Sequence, residues 1–125
     1  MLIDTDVLIW AFRGNEKASD FLDDQPGFAV SIVTYMELMQ GARNRAEMQL
    51  IRKTLRFWDA RIEQIDETIS SRAAFLVEEY ALSHSMEMAD ALIASSALSM
   101  GDSLMTANDK HYRFIPDLQL EVFRP

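Results

Sequence analysis

Residues 2–10 read LIDTDVLIW, and the fold turns on how this stretch is read. Apolar residues enclose two carboxylates, Asp4 and Asp6, at the head of the chain. An apolar segment of this kind goes into a core, where an unpaired carboxylate is costly. The pattern predicts a short buried strand over Leu2 to Asp4. A helix is predicted over Val7 to Phe12, beginning near Thr5 or Asp6, either of which can cap it.

Working outward, strands and helices keep alternating. Asp23 to Gly27 is a turn signal, and Phe28, Ala29 and Val30 read as a second strand. Ser31 is then the expected N-cap of a helix carrying Ile32, Val33, Met36, Leu38 and Met39, ended or loosened at Gly41. Ala46 to Trp58 is amphipathic, and Arg61 to Ile65 alternates like a short strand. Asp66 suits the N-cap of a long helix, Glu67 to Ser83, with Ile69, Ala73, Leu76, Val77 and Tyr80 on one face. A further helix spans Ala89 to Met100 and stops at Gly101. Ser103 to Thr106 and Leu120 to Phe123 complete the strands, the latter at an edge. The expected fold class is therefore α/β, three layers (α/β/α) around a short, mostly parallel sheet.

Bulk composition narrows the function. With 125 residues, 49% of them apolar, the chain suits one globular domain over 1–125. It has no cysteine, which excludes disulfides and thiolate metal sites. No apolar run approaches the roughly 20 residues of a membrane span. Met1 leads into Leu2, Ile3 and Asp4 with no basic segment ahead, so no secretory leader is expected and a cytoplasmic location is. The net charge of −8 is unlike that of a protein that holds nucleic acid by bulk electrostatics. A nucleic-acid substrate would have to be held by something local, and bound cations are the obvious means.

The acids fall where such cations are useful. Asp4 ends the first strand and Asp109 follows the strand at 103–106. Glu37 and Asp90 reach the same edge from their helices, and ligands of open parallel sheets bind beyond the carboxyl ends of the strands. Two carboxylates about 4 Å apart repel by about 4 kcal/mol at an effective dielectric near 20. Several such pairs approach the whole stability of a small domain, about 5–15 kcal/mol. Clustered acids therefore take up protons or hold a hard divalent ion such as Mg²⁺ or Mn²⁺.

Four stretches, LIDTDVLIW, SIVTYMELMQGA, ADALIASSALSMG and LMTANDKHYRFIP, occur in an order that resembles the PIN-domain ribonucleases. Within that family the likeness is to the toxin half of VapBC-type toxin–antitoxin pairs, and it covers essentially the whole chain. The resemblance implies a PIN-like fold in which Asp4, Glu37 and Asp90 are catalytic, metal-binding acids. Asp6 falls beside the first acid, Ser31 and Thr34 match hydroxyl positions ahead of Glu37, and Thr106 and Asn108 are further supporting or substrate contacts. Many members carry an Asp one residue before the aromatic of the segment Thr106 to Tyr112. That place is held here by His111, with Asp109 and Asn108 as neighbouring oxygen donors, and Asp109 is taken as the fourth catalytic and metal-binding acid. The implied chemistry is Mg²⁺- or Mn²⁺-assisted hydrolysis of RNA leaving a 5′-phosphate. The implied partners are RNA, a cognate antitoxin and a second copy in a homodimer. Arg43, Arg45 and His111 are candidate contacts to RNA or antitoxin, with Arg52, Lys53 and Arg56 extending a basic strip.

Asp4-Thr5-Asp6-Val7 also fits the nucleophile loop of haloacid-dehalogenase-like phosphatases, with Asp4 as the nucleophile. That family expects a later lysine and a cap domain, for which 125 residues leave little room. A receiver-like signalling domain expects a phosphoacceptor on the third strand and a Lys-Pro pair, which is absent. His84 and His111 lack ligand-spaced partners, so no zinc site is expected.

Overall fold

Leu2 and Ile3 point to opposite faces of the sheet, and that alternation builds both cores. In the computed structural model, which describes residues 1–125, they form β1 (Leu2–Ile3) at the centre of a five-stranded sheet. The strand order is β3-β2-β1-β4-β5, with β2 Ala29–Ser31, β3 Arg61–Glu63, β4 Leu104–Thr106 and β5 Leu120–Val122. Every neighbouring pair is parallel, with Leu2 opposite both Ala29 and Leu104, and Leu104 opposite Leu120. Leu2, Ala29 and Leu104 face one core with Ala73, Leu76, Ile93, Ala97 and the buried Tyr112. Ile3, Val30 and Met105 face the other, with Val7, Leu8, Leu22, Ile51, Leu55 and Trp58.

Those contacts define the layers. Helices α5 (Glu67–His84) and α6 (Met88–Met100) cover one face. The other is covered by α1 (Thr5–Phe12), α2 (Glu16–Asp23) and α4 (Arg45–Phe57). Helix α3 (Ile32–Gly41) straddles the end of the sheet, with Val33 in the first core and Leu38 in the second. No helix is long and apolar enough to cross a membrane.

Local signals account for most boundaries. Ser31 caps α3, its Oγ accepting the Val33 amide at 3.0 Å. Asp66 caps α5 through the Ile69 amide at 2.8 Å. Gly101, at φ +63°, takes the left-handed turn that ends α6, a conformation glycine adopts without cost.

Three expectations change. Helix α2 has no counterpart in the hydrophobic pattern, because its eight residues bury only Ala18 and Leu22. Asp4, rather than Thr5 or Asp6, caps α1, with Oδ1 accepting the Thr5 amide at 2.8 Å. Helix α6 begins at Met88 after Glu87, one residue before the expected Ala89, so Asp90 lies inside its first turn. One buried hydroxyl, Ser95 Oγ, finds no partner.

Candidate active site

Because all five strands are parallel, their carboxyl ends share one edge. The chain steps from β1 to β2 on one side and later places β4 on the other, so the order reverses between β1 and β4. Ligand crevices of open parallel sheets form at such reversals. Asp4 leaves β1 at this point and is only 6% exposed. It is held from two sides. Oδ1 accepts from Thr5 N, and Oδ2 lies 2.9 Å from Thr106 Oγ1 at the end of β4. Its burial, followed by repulsion from Asp6 and Asp90, raises the Asp4 carboxyl to about 7.

Asp6 sits one step along α1, facing β4. Its carboxylate accepts from Ala107 N at 3.2 and 3.1 Å, and Oδ2 lies 3.2 Å from Thr106 Oγ1. One hydroxyl hydrogen cannot serve Asp4 and Asp6 together, so two carboxylates compete for a single Thr106 donor. Burial raises Asp6 as well, against the pull of these hydrogen bonds.

Glu37 approaches from the second turn of α3, exposed, with Oε1 accepting from Thr5 Oγ1 at 2.7 Å. Thr5 Oγ1 also stands 2.9 Å from the buried Thr34 Oγ1, so Thr34 positions the residue that positions Glu37. Asp90 comes from α6. Oδ1 accepts from Tyr112 Oη at 3.2 Å, and Oδ2 lies 3.1 Å from His111 Nδ1. Burial raises the Asp90 carboxyl, and His111 and Tyr112 oppose the shift. Burial, then Asp4 and Asp90, push the Tyr112 phenol far up, so Tyr112 keeps its proton and donates it to Asp90.

The structure thus brings Asp4, Asp6, Glu37 and Asp90 to one edge, tied together by Thr5, Thr106 and Tyr112. It does not close them into a cage: no three His, Asp or Glu side chains stand close enough to share one ion. Asp109 is turned elsewhere, in a single 3₁₀ turn (Asp109–His111), with Oδ1 3.4 Å from Arg124 Nη2. His111 occupies the flank expected of Asp109. Asn108 supports it, its Nδ2 lying 3.1 Å from His111 Nε2. Ser31 is spent on the α3 cap. Arg43 pairs with Glu47 at 2.7 Å, and Arg45 is exposed at the start of α4.

Two contributors escaped the sequence reading, Thr5 and Tyr112. Thr5 lies between two flagged acids, which was signal enough to ask about its hydroxyl. Tyr112 follows His111, but only the packing of the 3₁₀ turn onto α6 aims its phenol at Asp90.

The donor set is all hard oxygen, half-buried and short of positive charge, which fits Mg²⁺ or Mn²⁺ chemically. The lack of a ready triple of acids does not conflict with this. Mg²⁺ keeps several waters and is commonly held by one or two carboxylates.

Comparison with known proteins identifies the family. The family model described as PIN domain matches residues 1–115. Ribonuclease VapC10 of Mycobacterium tuberculosis is 32% identical over 124 residues, covering 95% of this chain and 90% of that one. A solved chain of a toxin–antitoxin complex from Klebsiella pneumoniae superposes with a TM-score of 0.81 at 30% identity, covering 99% of this chain and 98% of that one. A chain of the DNA-bound VapBC of Salmonella typhimurium reaches 0.79 at 20% identity, covering 97% of this chain and 96% of that one, a likeness of fold alone. The family model over residues 1–115 and the 32% identical relative decide against the phosphatase and receiver readings: the chain belongs to the PIN-domain family.

Proposed function

We propose that this chain, read as one domain, is a divalent-metal-dependent endoribonuclease and the toxin of a toxin–antitoxin pair. The observation that carries the reading is the acid pair Asp4 and Asp90, remote in sequence yet near enough to repel each other, with the Tyr112 phenol donating to Asp90. Asp4 and Asp90 are the residues that would hold the ion directly, with Glu37 reaching it through water, and Thr5, Thr106 and Tyr112 positioning these acids. When bound, the ion lowers the pKa of an attacking water and offsets the charge of the phosphodiester. The residues themselves do the rest. Thr106 and the Thr5 amide hold the Asp4 carboxylate in place, and Thr5 Oγ1 holds Glu37 at the same edge.

Substrate contact is supported by local charge. Arg52, Lys53 and Arg56 line a shallow depression on α4, a basic strip on a chain of net charge −8. Purified protein is expected to cut RNA in Mg²⁺ and to stop on chelation, and Asp90→Asn is expected to be inactive. Cleavage that survives EDTA, or undiminished cleavage by Asp90→Asn, would refute the site.

An antitoxin partner is supported by the toxin–antitoxin complex that the chain resembles. A groove of about 670 Å³ between α1, α3 and α4 runs up to Glu37, with Ile9, Phe12 and Leu50 on its walls and Arg13 and Arg43 at its rim. It suits a partner segment with an apolar face and acidic flanks. The homodimer is supported by Leu50 and Phe57, exposed by 58% and 78% on α4. Light scattering at micromolar concentration should give twice 14.3 kDa for the free chain and a larger mass with the partner added. A 14.3 kDa species alone would remove the dimer, and an unchanged mass on mixing would remove the partner.

A further inference from the structure

The two flanks of the acidic edge differ in what remains free to ligate. On the α3 flank, the Glu37 carboxylate is exposed and has one protein partner, the Thr5 hydroxyl at 2.7 Å. On the β4 flank, Asp6 spends both oxygens on Ala107 N and Thr106 Oγ1. Asp109 faces Arg124. The remaining group there is an imidazole. His111 Nδ1 is 3.1 Å from Asp90 Oδ2, and Nε2 is 3.1 Å from Asn108 Nδ2. An amide nitrogen can only donate, so this network assigns the lone pair to Nε2 and the hydrogen to Nδ1, which donates to Asp90. Both ring nitrogens are therefore committed. His111 offers no lone pair to a cation.

A second ion in a two-metal site stands about 3.5–4 Å from the first and needs oxygen donors of its own on its far side. Beside Asp90 this flank presents the Nδ1–H of His111 and the neutral Asn108 amide, and its carboxylates, Asp6 and Asp109, are already hydrogen-bonded or paired. We propose that His111 fills the place a second ligating carboxylate would need: it positions Asp90 and restricts this edge to one divalent ion per chain. In this role His111 is a positioning residue, acting on phosphodiester chemistry through Asp90.

This rests on the metal-dependent reading above, and one experiment separates the two. Equilibrium dialysis of the full chain against Mn²⁺, counted by atomic emission, should give one ion per chain. His111→Asp, which puts a carboxylate in place of the imidazole, should bind two, and His111→Glu serves as a second form of the test. His111 is exposed, so either side chain fits without steric clash, and an unchanged circular-dichroism spectrum separates a gained ion from misfolding. Two Mn²⁺ in the wild-type chain, or one in both variants, would overturn the role of His111 while leaving metal dependence intact. No bound Mn²⁺ in the wild-type chain would overturn the metal reading itself.

Discussion

Asp4→Asn is expected to abolish RNA cleavage and, in the absence of divalent ions, to raise the melting temperature. The two effects share one cause. Asp4 sits nearly buried, beside Asp6 and Asp90, with a carboxyl raised to about 7 from an ordinary 3.8. Its negative charge is therefore held against its environment, and a function that uses that charge is the reason to retain it. An asparagine keeps the shape, the capping acceptor for the Thr5 amide and a polar contact to Thr106. Removing a carboxylate from a metal site forfeits several kcal/mol of transition-state stabilisation, or about 10³-fold in rate. Relief of repulsion and desolvation, less the cost of burying an imperfectly paired amide, should stabilise the apo-protein by about 1–3 kcal/mol near pH 8. Cleavage assays and melting curves in EDTA check the pair. An inactive variant that melts lower than wild type would show Asp4 to be a structural cap whose loss disorders the edge.

The second large effect is on stability against pH. The folded Asp4 carboxyl, raised to about 7, keeps its proton where the unfolded one, at 3.8, has lost it. Between those values the native state binds more protons, so stability falls as pH rises from about 4 to about 7 and levels off above. Asp6 and Asp90 are raised also and act in the same direction. For Asp4 alone the span is about 4 kcal/mol, enough to lower the melting temperature by about 10 °C or more for a chain of this size. Apo-protein in EDTA should therefore melt higher near pH 5 than near pH 8. Asp4→Asn should lose most of that slope. Saturating Mg²⁺ should restore the melting temperature near pH 8, since a cation bound to the native state favours the charged carboxylates. A flat apo profile, or a slope unchanged in Asp4→Asn, would show that Asp4 is not the group under strain.

Much of this protein is set by local chemistry that the sequence displays. The strand–helix alternation, the caps Ser31 and Asp66, and the stop at Gly101 depend on near neighbours and were legible. The placement of Asp4 at this edge was legible too, because a strand end in a parallel sheet fixes which edge a residue faces, and Glu37 and Asp90 were within reach of it from their helices. Helix α2 was not legible, since so few of its residues enter the core that packing rather than pattern holds it. The fourth position was decided by tertiary contacts alone. Asp109 and His111 are two residues apart in one turn, and either could face the acids. Arg124, from beyond the last strand, lies against the Asp109 carboxylate, while Asp90 from α6 meets His111. Sequence spacing determines the element a side chain belongs to. Which of two neighbouring side chains enters a site depends on charges that come from remote parts of the chain, and only the packed structure brings those into range.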